Sequence, residues 1–337
     1  MSRGARRRQR QQPRTLQVFL IIVLVLLTVC VLVKAFFLKA PEQKAVELPA
    51  QSAASDTDSQ QSREEQAAQE ALRSHLERKG GFYTILLSGL DDDNGGSDTN
   101  ILVAVDTVNG YVYGVSIPRD SKAIIDGKAR KINYAYNKGG TELLADTVSE
   151  QLGIPVDYTV SVNLKGFTAL VDAIGGVDFD VPINMDYDDP IQNLSIHFKK
   201  GVQHLSGADA LRVVRFRHNN DGSGYGSEDL GRMATQQKFL KAVAKKMLSA
   251  GNILTKIDDY AKIFNQYVDT NLTVGNLAWL GTEVLKMGVD KIDFSTLPNA
   301  WKYPYIYLDP TETLTLVNTY LNPYVEDRTA DDLNIPG

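Results

Sequence analysis

The stretch FYTILLSGLDDDNGGSDTNILVAVDTVNGYVYGVSIPRD, Phe82 to Asp120, decides the fold class. A β-favouring run over 82–90 ends in an acidic, glycine-containing loop, and apolar runs follow at 101–105 and 111–117. Three strands are predicted, rich in Ile, Leu, Val and Tyr and bounded by turn residues.

Helical spacing enters next. Leu143, Leu144, Val148 and Leu152 recur on one helical face and stop at Gly153. A strand is expected at 156–162, a helix at 164–174 ending in Gly175-Gly176, and another strand at 177–181. Longer helical patterns occupy 229–249, 252–267 and 274–287, followed by a strand at 292–297 and a closing helix at 311–321. Strands interleaved with helices predict an α/β domain, a mixed central β-sheet flanked by helices.

Upstream, the composition changes. Six arginines, Arg3, Arg6, Arg7, Arg8, Arg10 and Arg14, precede any acidic residue; without them the formal net charge of −5 becomes about −11. Residues 16–38 are apolar apart from Gln17, Thr28 and Lys34, long enough to cross a bilayer as a helix. The positive-inside rule puts residues 1–15 in the cytoplasm and everything beyond the span outside the cell. Cleavage of a signal peptide fits poorly, because the run is long and Leu38 and Ala40 make a weak cleavage site. Lipoprotein processing at Cys30 is disfavoured by the bulk of Val29 and by the apolar run continuing past it. Cys30 is the only cysteine, so no intramolecular disulfide can form.

Residues 39–80 read as an extracellular linker: a polar, Ala/Gln/Ser-rich tether to about Gln61, then a charged, solvated helix over 63–79. The domain itself is expected over 81–325, with a short tail at 326–337.

Polar stretches carry the chemical signal. Gly89-Leu90-Asp91 with Ser97-Asp98-Thr99, Ser116-Ile117-Pro118-Arg119-Asp120, Lys131-Ile132-Asn133, and Arg215-Phe216-Arg217 with Asp229-Leu230-Gly231-Arg232 each fall at a strand end or helix start. Ligand sites of open α/β sheets gather at such places. An extended 215–217 segment puts both guanidinium groups on one side and Phe216 on the other. Asp229, Arg232 and Gln236 stack on one helical face. Arginine matches phosphate oxygens bidentately and cannot be titrated away. Asp98, with Asp91, suits Mg²⁺, which takes one or two carboxylates and fills its shell with phosphate and water. The alternatives are that 91–96 is a solvated turn, that Asp229 or Ser227 caps a helix, and that the arginines form surface pairs.

Other chemistries find little support in the sequence. An EF-hand reading fails because Leu102 stands where the bidentate Glu belongs. There is no P-loop, no G-x-S-x-G elbow and no metal spacing around His75, His197, His204 or His218. Nucleic acid is not an expected partner, since the outer domain is acidic and its basic and aromatic residues do not interleave.

Taken in order, the strand before Asp91, Ser97-Asp98-Thr99, SIPRD, KIN with Ala135-Tyr136 and Gly139-Gly140, Gly175-Gly176-Val177, R-x-R and D-L-G-R with its Gln-Gln pair resemble the LytR-CpsA-Psr family over roughly 82–250. The resemblance implies a membrane-anchored transferase with an apolar slot for a polyprenyl tail. Such an enzyme moves a glycopolymer, of teichoic acid or capsular polysaccharide type, from a polyprenyl pyrophosphate carrier to peptidoglycan with Mg²⁺.

By resemblance Asp98 is the metal-associated aspartate, Asp91 a weaker second ligand, and Arg119, Arg215, Arg217 and Arg232 the pyrophosphate-binding arginines. Asp229 and Gln236 order that cluster, and Lys131 is structural or supports the pocket. Asp98 and Asp120 are the candidate proton acceptors, with Arg119 as their catalytic companion. Two departures stand out: the family commonly places Arg before the Ser-Asp-Thr stretch and before the Gln-Gln pair, where this chain has Gly96 and Thr235. A non-catalytic polyprenyl phosphate-binding assembly factor and a carrier pyrophosphatase are the alternative functions.

Overall fold

A computed structural model describes residues 38–44, 76–90, 96–191, 194–226, 228–247 and 257–337. The expected cytoplasmic tail, all of the expected span except Leu38, Asp91, and most of the expected linker lie outside these residues. Among the described residues no helix is long and apolar enough to cross a membrane.

At the centre is a six-stranded mixed sheet. Its first three strands, β1 (Phe82–Leu90), β2 (Ser97–Asp106) and β3 (Tyr111–Ile117), form an antiparallel meander. The turn between β2 and β3 is held by Asp106, whose Oδ1 accepts from the amides of Val108 and Asn109 at 3.0 and 2.7 Å. The pattern of runs predicts all three, with β2 beginning four residues earlier than the apolar run because polar Ser97 to Asn100 continue the pairing.

Next in the chain come a hairpin of β4 (Lys122–Ile125) and β5 (Lys128–Lys131), then α1 (Asn133–Leu152) and β6 (Tyr158–Asn163). Gly139 and Gly140 break α1 into two segments; Gly140 has φ +66°, a left-handed conformation that favours glycine. The predicted 143–152 helix is the second of these segments. β6 runs parallel to β1.

A second layer follows: α2 (Leu164–Ala173), β7 (Val177–Val181), β8 (Met185–Asp189), β9 (Leu194–Phe198), β10 (Gly201–Leu205), α3 (Gly207–Arg215) and α4 (Glu228–Met247). The sheet is completed by β11 (Val268–Thr270), after α5 (Ile257–Tyr267), and by β12 (Ile292–Thr296), after α6 (Val274–Met287). The strand order is β11-β6-β1-β2-β3-β12. A hairpin of β13 (Asn299–Lys302) and β14 (Tyr305–Leu308) and the helix α7 (Pro310–Leu316) end the fold, α7 passing into a π-helical turn at Val317–Leu321.

Both faces of the sheet are covered, which explains why β1 carries apolar residues at both odd and even positions rather than alternating. Phe82 and Leu86 point into a core shared with Leu102, Val115, Leu144, Val148 and Leu321, whereas Tyr83 and Ile85 point into a second core with Ile101, Val103, Leu272 and Leu280. A third core, around Phe179, Met185, Val213, Phe216 and Phe239, joins α2, α3 and α4 to the small hairpins. Truncating one of these fully buried side chains costs about 2–5 kcal/mol.

Packing extends beyond 81–325 in both directions. The buried carboxylate of Asp157 receives Arg78 bidentately at 2.6 and 2.8 Å and the amide of Lys44 at 3.0 Å. The Asn276 side-chain amide donates to the Lys39 carbonyl at 2.9 Å. Residues 39–44 of the expected tether therefore lie on the domain, at the end of the sheet opposite the C-terminus of β1. Past 325, Arg328 is buried and pairs with Asp332, and Ile335 packs on the first core.

Candidate functional site

Strands β1, β3, β6 and β12 point the same way, so their C-terminal ends share one edge with the N-terminus of β2. The site is built on that edge, as general rules for α/β sheets lead one to expect.

Arg119 follows β3 directly. Its backbone is clamped: the amide of Asn133 donates to the Arg119 carbonyl at 3.2 Å, Ser121 donates to Pro118 at 3.0 Å, Ile132 to Ser121 at 2.8 Å, and Ile306 to Asp120 at 2.9 Å. The KIN stretch is thereby a clasp on the SIPRD loop, with Ile132 wholly buried as its plug. Lys131 Nζ lies 3.1 Å from Asp120 Oδ1, which is 4.0 Å from Arg119 Nε. On the other side Arg119 Nη1 donates to Asp98 Oδ1 at 2.6 Å. A line of alternating charge, Lys131, Asp120, Arg119, Asp98, fixes the guanidinium.

The remaining arginines arrive from the second layer. Phe216 leaves α3 in an extended conformation and is buried, while Arg215 and Arg217 flank it and both line the cavity described below. Arg232 and Gln236, one turn apart on α4, line the same cavity. Gln236 donates to the Val214 carbonyl at 3.0 Å. Its neighbour Gln237, read in the sequence only as the second of the Gln-Gln pair, has its amide nitrogen within reach of Ser116 Oγ at 3.0 Å, the Ser295 carbonyl at 2.8 Å and Thr296 Oγ1 at 3.2 Å. The pair thus fastens α4 to α3 on one side and to the ends of β3 and β12 on the other. Asp229 begins this helix, and its side chain, like all of Asp91, lies outside what is described.

Between the sheet and the second layer runs a cavity of about 600 Å³. Leu87, Val160 and Val162 form its sheet wall; Phe167, Leu170, Val214 and Phe239 form the other. At its polar end Arg119, Arg215, Arg217 and Arg232 meet Asp98, the one carboxylate among the described lining residues, in a chain of formal net charge −5. A smaller cleft of about 300 Å³ adjoins it and shares Asp98, Thr99, Arg119, Arg232 and Gln236. Asp120 and Ser116 line only this second cleft.

The two departures prove to be packing choices. Thr235 is buried, lines neither cavity, and its hydroxyl lies 2.9 Å from the Tyr225 hydroxyl and 3.0 Å from the Gly231 carbonyl. Burial pushes the Tyr225 phenol above its ordinary range, against the opposing effects of Thr235 and Arg232. Gly96 has φ +119°, and a Cβ there would sit 3.0 Å from Asn137 Oδ1. An arginine at either place would first have to displace what is there.

Asp98 is a hard oxygen donor and is about half exposed, which fits a Mg²⁺ ion completed by phosphate oxygens and water. Among the described residues no group of three or more His, Cys, Asp or Glu side chains could hold a metal. A dedicated protein cage is therefore not what these residues form.

The described residues thus form an α/β domain with an apolar cavity ending in clustered arginines. The chain belongs to the LytR_cpsA_psr family, whose model matches residues 45–321. It is similar to the polyisoprenyl-teichoic acid–peptidoglycan teichoic acid transferase TagV of Bacillus subtilis (strain 168), with 37% identity over 202 residues, 57% of this chain and 50% of that protein. TagU of Bacillus cereus (strain ATCC 14579), a transferase of the same description, is 37% identical over 195 residues, 56% of this chain and 60% of its own. The matched stretch thus spans little more than half the length of these relatives. The crystal structure of B. subtilis TagV superposes with a TM-score of 0.60 and 32% identity over 72% of this chain and 96% of that one. That of B. subtilis TagU gives 0.53 and 28% over 74% and 98%.

Proposed function

We propose that the protein is a membrane-anchored phosphotransferase that moves a teichoic acid or related glycopolymer from a polyprenyl pyrophosphate carrier to peptidoglycan. One observation carries the reading: an apolar cavity large enough for part of a polyprenyl tail opens directly onto four arginines. The similarity to the named TagV and TagU transferases supports the choice of cargo and acceptor. The apolar run at 16–38 supports a single-pass anchor, its basic side in the cytoplasm and the domain outside.

In this mechanism the tail lies in the cavity and the pyrophosphate rests among Arg119, Arg215, Arg217 and Arg232. A sugar hydroxyl of peptidoglycan attacks the phosphorus that bears the glycan. The new P–O bond forms as the phosphoanhydride bond breaks, polyprenyl phosphate departs, and the hydroxyl proton passes to a carboxylate or to solvent. Charge developing on the leaving phosphate is met by guanidinium groups already held in place, so positioning and electrostatics supply most of the acceleration. Mg²⁺ held by Asp98 and the phosphate oxygens would neutralise further charge there. Asp98 lines both cavities, whereas Asp120 lines only the smaller cleft, so Asp98 suits the roles of metal ligand and proton acceptor better.

The test is transfer of a labelled glycan from its polyprenyl pyrophosphate donor to peptidoglycan by the full-length protein in detergent or vesicles. Transfer that requires Mg²⁺ and is abolished by Arg119→Ala supports the reading. Tight donor binding without turnover, where TagV turns over, contradicts it.

A further inference from the structure

We infer that the smaller cleft seats the acceptor glycan, with a pyranose ring stacked on Trp301. The inference rests on the phosphotransfer reading above and adds to it a place for the second substrate.

In-line displacement puts the attacking and leaving oxygens on opposite sides of phosphorus. The leaving polyprenyl phosphate belongs to the larger cavity. Asp98, Arg119, Arg232 and Gln236 form the boundary with the smaller cleft, so phosphorus held there turns its open face toward that cleft. The glycan stays bonded to that phosphorus and projects sideways, and the smaller cleft is left for the nucleophile.

What lines that cleft alone suits a sugar. Alternation along β13 puts Asn299 and Trp301 on one side of the strand, and Ile306 stands opposite Trp301 in register. Trp301 is 60% exposed, a large apolar surface that folding does not account for. The chain's other tryptophan, Trp279, is half-buried and packed edge-on against Tyr83 at 5.7 Å on the second core. An indole gives the C–H face of a sugar a flat apolar partner and an N–H for a hydroxyl, and Asn299 adds an amide at the same wall. The platform is rigid and linked to the arginine loop: Ile306 donates to the Asp120 carbonyl at 2.9 Å, Leu297 to Ser116 at 3.0 Å, and the Tyr305 hydroxyl to Ala129 at 3.1 Å.

Two measurements on the full-length protein decide it. With saturating polyprenyl pyrophosphate donor and varied acceptor glycan, Trp301→Ala is expected to raise the acceptor KM about tenfold, leaving the donor KM unchanged, while Trp301→Phe retains most of the affinity. Titration with chitotetraose should quench intrinsic fluorescence in the native protein and not in Trp301→Phe. A rise in donor KM alone means that the cleft holds the donor glycan and overturns the inference, as does an unchanged acceptor KM. If no transfer occurs at all, the phosphotransfer reading fails; quenching lost in Trp301→Phe would still establish the sugar site, and no quenching would end it.

Discussion

Asp98 and Arg119, 21 residues apart and on different strand ends, are joined by a 2.6 Å hydrogen bond at the boundary of the two cavities. Both side chains keep substantial exposure, 46% and 31%, so the pair is worth no more than about 1 kcal/mol to folding. Its worth lies in orientation. Asp98→Asn should leave thermal stability nearly unchanged and reduce the transfer rate by about 10²-fold or more. Calorimetry beside a transfer assay checks this; a large loss of stability would mean that the pair is structural.

Arg215 and Arg217 reach the cavity from either side of buried Phe216. Losing one charge-assisted phosphate bond costs about 1.5–3 kcal/mol, so Arg215→Ala should weaken binding of polyprenyl pyrophosphate by roughly one to two decades. Arg215→Lys should restore only part of this, because a point charge cannot reproduce the bidentate fork. Equilibrium binding at fixed ionic strength measures both.

Restoring the family's arginines should not help. Thr235→Arg forces a charge into a buried niche under Tyr225, with an expected loss of about 2–4 kcal/mol and no gain in turnover. Gly96→Arg meets both a left-handed backbone and Asn137. Denaturation midpoints and initial rates of the two variants decide the matter, and faster transfer by either would contradict the packing argument.

The β8–β9 hairpin carries a pH-dependent pair on its outer face. His197 Nδ1 lies 2.7 Å from Asp186 Oδ1, and this contact, more than the nearby charge of Asp188, raises the imidazole above its ordinary 6.5. Asp188 is held below its ordinary value, first by the Ser195 hydroxyl and then by His197. A raised histidine contributes stability fully present below about pH 6.5 and lost as pH rises through the folded value; a lowered aspartate contributes stability lost on acidification. The hairpin should be firmest between those limits. NMR titration should place His197 above 6.5, and Asp186→Asn should bring it back.

How much of this was legible beforehand follows from where the signal lay. β1, β2 and β3 were readable because both sheet faces are buried and their runs are mostly apolar on both. The second half of α1 was readable from Leu144, Val148 and Leu152, but its first half was hidden by the Gly139-Gly140 break. The hairpins β4–β5 and β13–β14 are short and half exposed, so Ile124 and Trp301 gave no periodic pattern. Among the site residues, Arg119, Arg215, Arg217, Arg232, Gln236 and Asp98 come together at one cavity, while Lys131 lines neither cavity and touches Asp120, which lines only the smaller cleft. Gln237 gained no role from the Gln-Gln motif, and Trp301 went unnoticed, because the role of the first depends on the distant ends of β3 and β12 and that of the second on a cleft shared with Asp98 and Arg232.

The central claim is that attack falls on the phosphorus bearing the glycan. A donor radiolabelled only in that phosphate, incubated with the full-length protein, Mg²⁺ and peptidoglycan, tests it directly. The label should appear in a phosphodiester joining glycan to peptidoglycan, with unlabelled polyprenyl phosphate released. Label retained on the polyprenyl product, or released as free glycan phosphate, would contradict the account.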